Sequence, residues 1–276
     1  MPELPEVEVT RRSIDEPLRG AQVLEVRLGK VLRWPLGVPA QRLQGRVVGP
    51  VQRRGKYLWL PLLGADGQAD GGLLLHLGMS GSLALRQDAP PPGPHDHFDL
   101  LTTRGLLRLT DPRRFGAAVW SAALDRDPAA RLLSTLGHEP FDPLLTDAVF
   151  HAALKRRRAA VKLVLLAGDV VVGAGNIYAC EALHRAGIHP RRRADRIGPA
   201  RAAALLAAVR DTLARAMEVG GSTLRDFRDA HGMSGAFQAE TRVYGREDQD
   251  CPRCGGIVRR IVQAQRSTYY CAGCQT

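Results

Sequence analysis

The chain has 276 residues, 45% of them hydrophobic, which allows two ordinary domains with buried cores and argues against wholesale disorder. Lysine and arginine number 39 against 28 acidic residues, a formal net charge of +11, and a field of that sign points to polyanionic partners, nucleic acid before membrane. No stretch reaches the roughly eighteen apolar residues of a membrane-crossing helix, and the opening MPELPE lacks the basic-then-apolar pattern of a secretion signal, so an intracellular, cytoplasmic protein with no membrane association is expected.

Pro5 suits the first turn of a helix, and Glu6 and Glu8 suit its positive end. Val7, Ile14 and Leu18 continue it as an apolar stripe as far as Gly20. Strands follow. Leu24, Val26 and Leu28 alternate with Glu25 and Arg27, and Leu58, Leu60 and Leu62 repeat the period of two. Leu73 to Leu77 and Leu106 to Leu109 are further short apolar runs, and the closely spaced Gly and Pro between them predict an antiparallel sandwich. Pro90 to Pro94 reads as a surface loop. From about Leu124 the pattern turns helical, with helices predicted over Lys155–Leu166, Ile177–Ala186 and Pro199–Met217. Cys180, on the second of these, reads as core.

From about Glu240 the chain is short, basic and rich in cysteine, too small for a core of its own. Cys251 and Cys254 form one CxxC pair, Cys271 and Cys274 another, with 16 residues between the pairs. Each pair lets two thiolates approach one ion from a tight turn, and four thiolates suit one structural Zn2+ with no open position. The residues between, Ile257 to Tyr270, read as a hairpin made basic by Arg259, Arg260 and Arg266.

Removal of Met1 would leave Pro2 as a free secondary amine. A chain-terminal amine has a pKa of about 8, below the value of about 10.4 for lysine, so more of it is unprotonated at neutral pH. Such an amine attacking a sugar C1′ gives an iminium directly, an electron sink that permits elimination of the neighbouring phosphate. Glu3 and Glu6 stand beside it as candidate proton donors. The other reading of this hexapeptide is an ordinary helix start with acidic residues at its positive end.

Five blocks decide between them. PELPEVE at positions 2–8, HLGMSG at 76–81, DPRRFG at 111–116, GAGNIYACEAL at 173–183 and QRSTYYC at 265–271 occur in this order, and the chain resembles the formamidopyrimidine-DNA glycosylases over its whole length. The resemblance implies an α+β multidomain protein. It would comprise an N-terminal antiparallel β-sandwich with flanking helices over 1–130, a helical helix–two-turn–helix domain with a lesion-capping loop over 131–239, and a C-terminal zinc-ribbon hairpin over 240–276. It implies a monomer that binds damaged double-stranded DNA at the nucleoid, excises oxidised purines and nicks the strand by β,δ-elimination. By motif, Pro2 would be the nucleophile, Glu3 the acid that opens the sugar, Glu6 a supporting carboxylate, and Lys56 and Arg266 catalytic-site contacts to the lesion and its phosphate. Met79 would fill the gap left by the extruded base, and Arg113 with Phe115 would enter opposite it. Asn176 would bind phosphate. His95, Arg114 and Lys155 would be further DNA contacts.

Physical chemistry accepts these roles. Rotating a nucleotide out of the stack costs a few kcal/mol, and something must fill the hole. Met79 is flexible and apolar, Phe115 is a flat wedge, and Arg113 carries a donor fork that can read a base. Taken singly, Met79 and Phe115 would be core residues and Arg113 a solvated charge. Asn176 leads into a helix where it could cap the first turn, bind phosphate, or both. Lys155 to Arg158 and Arg191 to Arg193 are basic runs suited to a DNA-facing surface. His95-Asp96-His97 has the look of a metal site, but the family carries a similar stretch without one. Arg225 to Phe237 aligns with the family's loop over the flipped base and differs in detail. Two alternatives are an endonuclease VIII-type enzyme for oxidised pyrimidines, whose members open with PEGPE, and a zinc-ribbon DNA-binding protein without catalysis.

Overall fold

Helix α1 (Leu4–Leu18) opens the chain in the computed structural model, which describes residues 2–222 and 235–276. Its start is closed by a capping box in which Glu3 and Glu6 satisfy each other's backbone N–H groups. The predicted stripe of Val7, Ile14 and Leu18 is buried. The chain divides into two compact units, Met1–Ser134 with Val219–Ala236, and Thr135–Glu218 with Phe237–Thr276.

The first unit is built from β1 (Val23–Leu28), β2 (Val47–Val48), β3 (Gln52–Arg54), β4 (Tyr57–Leu63), β5 (Ala69–His76), β6 (Ser82–Arg86), β7 (Asp96–Thr102), β8 (Gly105–Thr110), β9 (Ala117–Ser121) and helix α2 (Ala129–Leu133). One antiparallel sheet runs β1-β7-β8-β6, the other β2-β4-β5-β9 with β3 paired to β4. Leucines of both sheets and the α1 stripe share one core, as the alternating pattern predicts. β4 and β5 are buried on both faces, because Trp59 and Leu74 point away from that core onto Ala129 of α2. β1 departs from expectation. Val23 and Val26 are buried and Leu24 is about half exposed, because a register shift between Val23 and Glu25 breaks the alternation, and Leu28, the last residue of the strand, is also about half exposed.

The second unit holds α3 (Asp147–Lys155), α4 (Val161–Ala167), α5 (Asn176–Arg185), α6 (Pro199–Glu218) and the hairpin β10 (Val258–Gln263) with β11 (Arg266–Cys271). α6 buries Leu206, Val209 and Leu213 as its spacing predicts. The single helix predicted over Lys155–Leu166 is instead two. Lys155 ends α3, α4 begins at Val161, and the intervening backbone bonds elsewhere: Ala159 O accepts from Ala194 N, and Val161 N donates to Arg192 O. Tertiary pairing outweighs the local helical pattern there. Of the predicted lesion-capping loop, residues 225–234 lie outside the described residues.

Candidate functional site

In the first unit the chain start is gathered by carboxylates. Pro2 is buried, and Glu3 and Glu6 are each only 2% exposed. The Glu3 N–H donates to Glu6 Oε2 at 2.8 Å, and Glu6 Oε1 accepts the Ser222 N–H at 2.7 Å. Glu6 therefore fixes the helix start to a segment more than two hundred residues away in sequence. Gly221 makes this approach possible. Its φ is +83°, and a Cβ on it would stand 2.9 Å from Glu6 Oε1. Glu8, the other acidic residue of α1, is bound by Arg11, Arg12 and Arg53. Burial would raise its pKa, but these cations outweigh burial and hold the carboxyl below its usual range.

Lys56 follows Gly55 in the turn between β3 and β4, and its charge is felt at His76, the last residue of β5. Burial, then Lys56 and Arg33, push the His76 imidazole down to about 4, so it is neutral near pH 7. Its Nδ1 accepts the Gly78 N–H at 3.0 Å, and its ring lies 4.7 Å from that of Tyr57.

Met79, Arg113 and Phe115 are exposed, although two of the three are apolar. The Arg113 guanidinium sits 4.9 Å above the Phe115 ring. A residue the sequence reading passed over organises them. Asp111 is fully buried and accepts from Ser80 Oγ at 2.8 Å, from Arg113 N at 3.2 Å and from Gly116 N at 2.7 Å. It thereby joins the turn bearing Met79 to the turn bearing Arg113 and Phe115. Arg114, exposed, takes a left-handed φ of +57° in that second turn. His95 is exposed, and its carbonyl accepts the Asp111 N–H at 2.8 Å, which places it against the same turns. Asp96 is engaged by Thr110, Gly93 and Arg108. Among the described residues His95-Asp96-His97 is not part of any cluster that could hold a metal ion.

The second unit brings together Asn176 and the start of β11. Asn176 is the first residue of α5, whose N-cap is Gly175. Of the roles left open for Asn176, capping is not the one its side chain takes. Oδ1 accepts from Lys162 Nζ at 2.6 Å and Nδ2 donates to Ser267 O at 2.9 Å. Lys162 is fully buried and also donates to Thr268 Oγ1 at 2.6 Å. The buried Lys162 amine, with oxygen acceptors around it, thus holds Asn176 beside the hairpin turn that carries exposed Arg266. Lys155 is exposed and its Nζ donates to Asp195 O at 2.7 Å. Lys162 lay in plain view in the sequence, but a lysine within an apolar helix gives no signal of what will pack on it.

The four cysteine Sγ atoms all lie within 4.8 Å of one another. Cys251 and Cys274 Sγ are 3.8 Å apart, Cys254 and Cys271 Sγ 3.5 Å. A tetrahedral ion with Zn–S bonds of about 2.3 Å requires sulfurs roughly 3.8 Å apart. The four thiols therefore fit one structural Zn2+, and the backbone N–H of Gly256 donates to Cys254. Glu181 of α5 accepts the N–H groups of Arg242, Val243 and Tyr244 at 2.8 to 3.0 Å, anchoring the approach to this cluster. No helix among the described residues is long and apolar enough to cross a membrane.

Known proteins share this arrangement. Residues 1–118 match the formamidopyrimidine-DNA glycosylase N-terminal domain, residues 136–228 the H2TH domain of the same enzymes, and residues 249–276 a zinc finger found in FPG and IleRS. A formamidopyrimidine-DNA glycosylase of Albidiferax ferrireducens is 55% identical over 276 residues, covering 100% of this chain and 99% of the relative. One of Variovorax paradoxus is 56% identical over 275 residues, covering 100% of both. The crystal structure of the MutM (FPG) protein of Thermus thermophilus superposes with a TM-score of 0.88 at 38% identity, over 99% of this chain and 98% of that one. The Lactococcus lactis Fpg in complex with DNA containing an abasic site gives 0.89 at 30% identity over 100% of both chains. Matched along its length by sequence and by structure, the chain belongs to the formamidopyrimidine-DNA glycosylase family.

Proposed function

We propose that this bifunctional DNA glycosylase and abasic-site lyase, which acts on oxidised purines such as 8-oxoguanine and formamidopyrimidines, works through the amino group of Pro2. The observation that carries the reading is the pair of buried carboxylates, Glu3 and Glu6, directly beside Pro2. With Met1 removed, the Pro2 nitrogen lone pair attacks C1′ while the glycosidic bond breaks and its electrons leave with the base. Glu3 gives a proton to O4′ as the C1′–O4′ bond opens, and the nitrogen–C1′ bond becomes an iminium. Loss of a C2′ proton feeds electrons toward that cation and expels the 3′ phosphate. A second elimination expels the 5′ phosphate, and water then frees Pro2. Glu6 positions Glu3 and the Gly221–Ser222 segment rather than exchanging protons.

Lys56 and Arg266 are assigned to phosphates flanking the lesion, and Asn176, His95, Arg114 and Lys155 to further backbone contacts. Met79 fills the vacated stack while Arg113 and Phe115 enter opposite it, a role supported by their exposure and by the Asp111 bonds that join their turns. Zn2+ held by Cys251, Cys254, Cys271 and Cys274 stabilises the hairpin and takes no part in the reaction. We assign catalysis to residues 1–130, DNA docking to 131–239 and the zinc hairpin to 240–276, in a monomer that works in the bacterial cytoplasm at the nucleoid. Borohydride trapping on 8-oxoguanine DNA, followed by mapping of the attached peptide, tests the centre of this scheme. The adduct is expected on Pro2, and an adduct on an internal side chain would overturn it.

A further inference from the structure

One buried histidine is left unused by the reaction. His184, on α5, is fully buried, and its Nε2 lies 3.3 Å from Cys251 Sγ. A metal-bound thiolate has no hydrogen to offer, so the imidazole must be the donor. The other ring nitrogen, Nδ1, is shielded from solvent and has no hydrogen-bond partner. A hydrogen there would be a buried donor without an acceptor, so the neutral Nε2–H tautomer is the form this site accommodates.

This contact is one of several that tie α5 to the cysteine-bearing segment. Cys180, one turn earlier on α5, packs with Cys251, Cys271, Val243 and Val258 in one buried cluster. Glu181, between them, holds the backbone of residues 242–244. Four thiolates around a divalent ion leave a net charge of about −2, which nearby N–H donors offset. Cys254 receives the backbone N–H of Gly256. Cys251, only 2% exposed, receives the side chain of His184.

We propose that His184 is a positioning residue of the metal centre, its Nε2–H fixing the Cys251 thiolate so that retention of zinc depends on the same helix that begins at Asn176. This rests on the four-cysteine zinc reading, and the two are tested apart. Zinc is first counted by atomic emission in the full-length protein; less than one equivalent would sink the zinc reading itself. In protein loaded with cadmium-113 and labelled with nitrogen-15 histidine, His184 should appear as the Nε2–H tautomer with its proton coupled to cadmium through Sγ. An Nδ1–H tautomer, or an uncoupled Nε2–H, would overturn the proposal. Zinc transfer to a chromogenic chelator gives a second measure. His184→Gln, whose amide nitrogen reaches the place of Nε2, should stay within about threefold of the parent rate, while His184→Phe and His184→Asn should release zinc about 10-fold faster or more. Equal rates for Gln and Asn would refute it, and this comparison stands even where the Phe variant does not fold.

Discussion

The β-sandwich unit and the zinc hairpin both hold polar groups in fixed places, but by different means. In the sandwich, leucines from both sheets and from α1 supply one large core, so a few buried polar residues, Glu3, Glu6 and Asp111, can be directed at the site. The hairpin has little apolar interior, a cluster built from Val243, Val258 and its own cysteines with Cys180. It is held by buried polar posts on the helices of its unit: Lys162 on Thr268, Glu181 on the 242–244 backbone, His184 on Cys251. Where apolar area is plentiful, buried polar residues can position a few turns and chain ends locally. Where it is scarce, they carry the architecture, and each lost bond leaves a partner stranded.

The sharpest break in this comparison comes from the chain start. Protein in which Met1 is retained should keep its sandwich and bind DNA but lose abasic-site cleavage by at least about a thousandfold, read on end-labelled DNA; undiminished cleavage would count against the Pro2 amine. Next, Cys254→Ser should forfeit a metal contribution on the order of 10 kcal/mol, with loss of zinc, of amide protection across β10 and β11, and of DNA affinity. Amide protection in the sandwich should be untouched, because its core is its own. Lys162→Met should cost about 2–4 kcal/mol in thermal unfolding, since Asn176 Oδ1 and Thr268 Oγ1 lose their shared donor together and Thr268 is left buried. Unchanged stability would mean the post is not needed.

The smallest effect concerns pH. His76 is held near 4 when folded against about 6.5 when unfolded, so between these values the unfolded chain binds more protons. Its contribution is complete above about 6.5 and is lost as pH falls toward 4. Denaturation midpoints should decline over that window, and His76→Gln should flatten the decline; an identical slope in the variant would rule His76 out as its source.

Much of this was legible in the sequence, for reasons that differ by region. The α1 stripe, the leucine runs of β4 and β5 and the two CxxC pairs declare themselves through local spacing, because one face or one ion imposes the period. That Glu3 and Glu6 gather at the chain start beside Pro2 follows from their adjacency in the sequence. What escaped depends on distant partners. Asp111 reads as one letter of DPRRFG until Ser80 and Gly116 are found on its two oxygens. For Asn176 the sequence allows helix capping, phosphate binding or both, and it does not show that Lys162 and Ser267 engage its side chain. The helix over 155–166 broke where residues 192–194 supplied better backbone partners. Leu24 lost its place in the core to a shift in strand register between Val23 and Glu25.

The two turns joined by Asp111 also meet backbone to backbone. A Cβ on Gly78 would fall 2.5 Å from Gly116 N, and one on Gly116 2.8 Å from His76 O. The turn bearing Met79 and the turn bearing Arg113 and Phe115 are therefore packed without room for a side chain between their backbones, and a larger residue at either glycine would force them apart. Under the insertion roles proposed above, the two turns would enter a duplex as one body rather than one after the other.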